Sequence, residues 1–141
     1  MFILDTDHIS LFQRHHPHVS TRVLATPPLE LATTIVTVEE QLRGRLERVR
    51  RARSDEEVVR AYQNLLATVL YFRTITIMGF DQQTQAIFQS LRAPQQVRIG
   101  TQDLRIAAIV LRQEVTLVTR NRRDFATIPS LQTEDWSLPE P

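Results

Sequence analysis

A chain of 141 residues, 42% hydrophobic and 23% charged, is long enough to bury a core and too apolar for wholesale disorder. It contains no Cys, which excludes disulfides, thiolate chemistry and zinc fingers; all 17 basic residues are Arg, which excludes a Schiff-base or P-loop lysine. A net charge of +1 does not by itself mark a nucleic-acid binder, and no apolar run approaches the ~18 residues of a membrane span.

Met1 to Leu4 reads as a short apolar strand that ends at Asp5. So few apolar residues do not make a secretory signal, and a cytoplasmic location is expected. Thr6-Asp7 opens a helix carrying Ile9, Leu11 and Phe12, and a second short helix is expected to begin near Pro17. The histidines of this region, His8, His15, His16 and His18, read as surface residues without a partner base. Leu29 to Val36, β-branched toward its end, predicts a second strand. Thr37 is expected to cap the helix that follows, in which Val38, Leu42, Leu46 and Val49 form one apolar stripe.

Ser54-Asp55-Glu56-Glu57 has the form of a capping box, and Val58, Tyr62, Leu65, Val69 and Phe72 predict the buried stripe of its helix. The two helices are expected to form a long hairpin. A third strand is expected over Thr74 to Met78, a helix from Asp81, and a loop from Ala93 to Arg98. After Gly100 and a predicted N-cap at Thr101 comes a helix apolar on nearly every side, which is normally packed against a sheet. Val115 to Thr119 is an apolar strand without alternation, suited to a sheet covered on both faces. Leu131 to Trp136 is a candidate edge strand before a Pro-rich end.

Strands alternating with helices predict an α/β fold, a central parallel sheet with helices on both faces, in one domain over residues 1–141. Open sheets of this kind bind ligands beyond the carboxyl ends of their strands. Four carboxylates are expected near that edge: Asp5 after the first strand, Glu40 after the second, Asp103 in a helix first turn, and Asp124 after the fourth strand. Local roles are open to each. Thr37-x-x-Glu40 fits a capping box, Asp103 suits the positive end of a helix, and Asp124 has Arg122 and Arg123 beside it. As a group they form a set of hard oxygen donors suited to Mg²⁺ or Mn²⁺.

Four segments carry a resemblance: LDTDHIS, TVEEQLRG, IGTQDLRIAA and LVTRNRRDF. In this order they are similar to the PIN-domain ribonucleases of the VapC toxin type, over essentially the whole chain. The resemblance implies a three-layer α/β/α PIN-like domain and a metal-dependent endoribonuclease toxin that hydrolyses RNA phosphodiesters. It also implies a cognate antitoxin and a homodimer. Carried over by position, Asp5, Glu40 and Asp103 match the metal-binding acids, Asn121 and Asp124 both fall in the fourth position, and Thr119 matches a hydroxyl beside it. Asp7 and Gln102 stand where the family more often has Asn. Arg43, three residues past Glu40 on one helix, is the candidate RNA-phosphate contact. Two other classes compete. A PIN-like RNA-binding or scaffold domain need not be catalytic. Asp5-Thr6-Asp7 also resembles the first motif of haloacid-dehalogenase-type phosphatases, although His8-Ile9 does not supply that motif's Gly-Thr.

Overall fold

The structure, a computed structural model, describes residues 1–93 and 99–140; all of the expected loop after Ala93 lies outside them. Five short strands form one parallel sheet: β1 (Phe2–Leu4), β2 (Leu31–Thr34), β3 (Thr76–Met78), β4 (Thr116–Val118) and β5 (Gln132–Glu134). Their order across the sheet is β3-β2-β1-β4-β5, and every neighbouring pair is parallel. The candidate edge strand is thus present as β5.

Alternation along the strands divides the core into two layers. Ile3, Ala32 and Leu117 point to one face, where they meet α3 (Ile35–Arg51), α5 (Gln82–Arg92) and α6 (Thr101–Gln113) through Val36, Phe88 and Ile109. Leu4, Leu31 and Val118 point to the other, packed by α1 (Thr6–Gln13), α2 (Pro17–Ala25), the end of α4 (Asp55–Phe72), and Trp136. The fold is therefore the expected three-layer α/β/α sandwich. Helix α6 is buried from Ile106 through Val110 without interruption, which accounts for its all-round apolar sequence.

Three local expectations change. The second strand is shorter than Leu29 to Val36: Pro28–Glu30 forms a single 3₁₀ turn and α3 already begins at Ile35. Its cap is Thr34, whose Oγ1 accepts the Thr37 N–H at 3.1 Å. Thr37 therefore lies inside the first turn, and a Thr37–Glu40 capping box does not form. At α6 the cap is Gly100, with no side-chain bond, so Thr101 is the first helical residue rather than the cap.

The hairpin of α3 and α4 is present, tied by Arg45 Nε donating to Thr68 Oγ1 at 2.9 Å. Its expected buried stripe is not. Of that stripe only Phe72 is buried; Val58, Tyr62 and Val69 are exposed, and α4 instead buries Ala61 and Thr68. The small residue and the β-branched hydroxyl let α4 approach α3 closely, so its larger apolar side chains face outward. Among the described residues no helix is long and apolar enough to cross a membrane.

Candidate active site

The strand order reverses direction between β1 and β4, and a crevice opens at such a switch point on the carboxyl edge. Register sets the level of that edge. Leu4 pairs with Val118, so Asp5 and Thr119 directly follow the last paired positions of β1 and β4, and the Ile3–Ala32 register brings Asp5 level with Thr34, the last residue of β2. A cleft of about 540 Å³ lies here, walled by Asp5, Glu40 and Asp103 together with Asp7, Arg120 and Asn121.

Each wall residue is held by its element. Asp5 is buried and serves as N-cap of α1, its Oδ1 accepting the His8 N–H at 2.8 Å. Glu40 stands one turn into α3, and its Oε1 accepts the Thr6 hydroxyl at 2.8 Å. That hydroxyl belongs to a chain. Thr34 donates to Thr37 at 3.3 Å, and Thr37 lies 3.0 Å from Thr6, so the starts of α1 and α3 are joined by hydroxyls that end on Glu40. Asp103 is half-buried in the first turn of α6, where the positive helix end favours a carboxylate. Burial nevertheless pushes its carboxyl above the ordinary value, and the charges of Glu40, Asp5 and Asp124 add to this; the Asn121 side chain offsets part of it. Uncompensated negative charge thus collects at this point.

The remaining candidates are distributed around the cleft. Thr119 is fully buried and does not line it; its Oγ1 accepts the Asn121 N–H at 3.0 Å and fixes the loop that carries Asn121 inward. Asp124 sits exposed on α7 (Arg122–Phe125), outside the lining, where it acts on Asp103 through its charge. Asp7 does face the cleft, but Arg120 grips it through both Nε and Nη2, so its charge is already balanced.

Arg43 lies on a separate shallow depression of α3 with Leu42 and Leu46. Its Nη2 donates to Glu39 Oε2 at 2.7 Å, and Glu39 Oε1 accepts from Gln102 at 2.9 Å, beside Asp103. Arg43 therefore reaches the rim of the site through Glu39 and is not in the cleft. The sequence did not single out Thr6 as a site residue, and His8 is not the surface residue it was expected to be. His8 is fully buried, with Nδ1 3.2 Å from Asp5 Oδ1. A His three residues after a helix-capping Asp was the available signal.

Among the described residues, no three acidic or His side chains converge closely enough to hold a metal ion as they stand. The donor set still fits Mg²⁺ or Mn²⁺. Its members are hard oxygens, mutually repelling at Asp103, and Mg²⁺ is commonly held by one or two carboxylates plus substrate phosphates rather than by an all-protein cage.

No protein-family profile and no curated protein matches the sequence. Solved structures do. A chain of VapBC-1 from nontypeable Haemophilus influenzae superposes with a TM-score of 0.79 at 23% identity, covering 97% of this chain and 98% of that one. A chain of a toxin-antitoxin complex from Klebsiella pneumoniae gives 0.70 at 22%, covering 93% and 95%. One from VapBC2 of Rickettsia felis, bound to a DNA fragment from its promoter, gives 0.77 at 23%, covering 96% and 98%. Such likeness over nearly the full length of both partners establishes the architecture: this chain has the PIN-like α/β/α fold of these structures.

Proposed function

We propose that residues 1–141 form a single PIN domain of the VapC toxin type, a metal-dependent endoribonuclease acting in the cytoplasm. The observation that carries this reading is the gathering of Asp5, Glu40 and Asp103 in one cleft at the sheet's switch point, with Asp124 near enough to raise the Asp103 carboxyl. Asp5, Glu40 and Asp103 would hold Mg²⁺ or Mn²⁺; Asn121 or Asp124 completes the set, and Thr119 orients Asn121. A bound ion of this kind supplies Lewis-acid stabilisation of phosphodiester oxygens and a water of lowered pKa. The chain's own residues supply the rest. The hydroxyl chain from Thr34 holds Glu40 in place, and Arg120 keeps Asp7 from adding repulsion toward RNA. Excess EDTA is expected to abolish RNA cleavage, and Mn²⁺ in excess of chelator to restore it. Undiminished cleavage in EDTA would refute the reading, and a protein that binds RNA without cutting it under any metal would be the non-catalytic alternative.

Substrate must also be held against this negative charge. We assign part of that task to Arg43, whose exposed pair with Glu39 is of a kind worth only about 0.3–0.5 kcal/mol and so exchanges easily for a phosphate. Arg43→Ala is expected to weaken RNA binding and to lower its salt slope by about one, with thermal stability and Mn²⁺ affinity unchanged. Titrations of binding against salt decide it: an unaltered slope removes Arg43 from the interface.

The homodimer and the cognate antitoxin belong to the same reading. Val59, Tyr62, Leu66 and Leu70 form an exposed ridge along α4, 56%, 55%, 59% and 45% accessible, at the spacing of one helix face. Contiguous apolar surface of this kind marks a partner site. Sedimentation at tens of micromolar is expected to show a dimer, and a larger complex with the neighbouring gene product. A monomer in both measurements would remove both partners.

A further inference from the structure

His8 is fully buried, yet the chemistry so far assigns it no part. Both ring nitrogens are engaged. Nε2 lies 3.2 Å from the Trp136 backbone nitrogen, which can only donate, so Nε2 must be the acceptor. The ring proton is therefore on Nδ1, which faces Asp5 Oδ1 at 3.2 Å. Asp135 Oδ1 stands 3.6 Å from Nε2, beyond hydrogen-bond distance, and is already occupied by the backbone N–H and hydroxyl of Ser137 at 2.8 and 2.6 Å.

We propose that His8 is a positioning residue for Asp5: its Nδ1–H, together with its own backbone N–H, fixes Oδ1 and leaves Oδ2 for the cleft. Two donors from one residue set the orientation of a carboxylate that would otherwise rotate about its last torsion. The far side of the ring is pinned by Trp136, 128 residues away in sequence and itself fully buried against Phe2. The segment after β5 thus acts on the first strand's acid through one imidazole. An outer partner of this type commonly governs 10–100-fold in metal affinity. The proposal rests on the metallonuclease reading above, because Oδ2 is taken to serve a bound cation.

Two measurements test it. Imidazole ¹⁵N spectra of the metal-free protein at neutral pH are expected to show Nδ1 protonated and Nε2 bare. An Nε2–H tautomer with Nδ1 bare overturns the proposal, whatever the variants do. Calorimetric titration with Mn²⁺ then compares wild type with His8→Asn, His8→Leu and Asp5→Asn. The Asn amide reaches the place of Nδ1 and keeps a donor to Asp5, so His8→Asn is expected to hold near wild-type affinity, whereas His8→Leu loses ~10–100-fold. A merely structural role predicts no rescue by Asn beyond what stability explains. Equal affinity in wild type and both His8 variants, with Asp5→Asn impaired, overturns the positioning role alone. Affinity untouched by Asp5→Asn refutes the metal reading itself, and the His8 proposal falls with it. If His8→Leu does not fold, the spectrum and the His8→Asn titration still decide.

Discussion

Asp103→Asn is expected to move activity and stability in opposite directions. Burial, with the charges of Glu40, Asp5 and Asp124 adding to it, holds the Asp103 carboxyl above its ordinary value. The fold therefore prefers the protonated acid. That preference is fully present below the unfolded-state pKa, about 3.9, and is lost as pH rises through the folded-state pKa. At neutral pH the ionised group destabilises the metal-free protein. Asparagine keeps the shape and removes the charge, so the variant in EDTA at pH 7 should unfold at a higher urea concentration than wild type. The difference should vanish in acid below about pH 3.9, where both side chains are neutral. Cleavage should fall by at least the ~10–100-fold that even an outer-shell partner commands at a metal site. A variant that is less stable without metal, or that cuts RNA at the wild-type rate, would show that the charge at Asp103 is not a cost accepted for function.

Trp136→Ala is expected to produce the largest loss of stability. Trp136 is fully buried after the edge strand, its ring 5.1 Å from Phe2 and 4.8 Å beneath the Arg22 guanidinium. Its Nε1 donates to Glu134 Oε2 at 2.7 Å, and its backbone holds His8. Truncating a buried Trp to Ala removes about 3–5 kcal/mol, against a total of about 5–15 kcal/mol for a domain. Urea unfolding followed by circular dichroism measures it. A change within about 0.5 kcal/mol, the range of surface substitutions, would place the C-terminal segment outside the cooperative core.

The contrast between Asp5 and His8 shows how far the sequence alone could be read. Asp5 is legible because an acid directly after an apolar strand must lie at the carboxyl edge, whatever else the chain does. The same holds for Asp103, since a helix that returns antiparallel to the strands starts at that edge. His8 is not legible. Its burial depends on Trp136, and nothing within a helix's length of His8 announces that contact. The stripe on α4 fails for a related reason. Periodicity finds an apolar face but does not say what covers it, and here Ala61 and Thr68 face α3 while Tyr62 and Leu66 face outward. The misplaced cap of α3 is a matter of two adjacent threonine turns. Thr34 and Thr37 both carry the hydroxyl that a cap needs, and only the end of the β2–β3 pairing at Thr34 decides between them. Asp7 was left open in the same way. Its role follows from Arg120, which β4 brings across from the other half of the chain.

The central claim is that this carboxylate cleft directs water, with a divalent cation, at an RNA phosphodiester. The ends of the RNA fragments test it most directly. A defined RNA cut by the purified protein in Mn²⁺ should yield 5′-phosphate and 3′-hydroxyl ends, because an external water attacks and the ribose 3′ oxygen leaves. Fragments bearing 2′,3′-cyclic phosphate would mean that the RNA's own 2′-hydroxyl is the nucleophile, and would contradict the account.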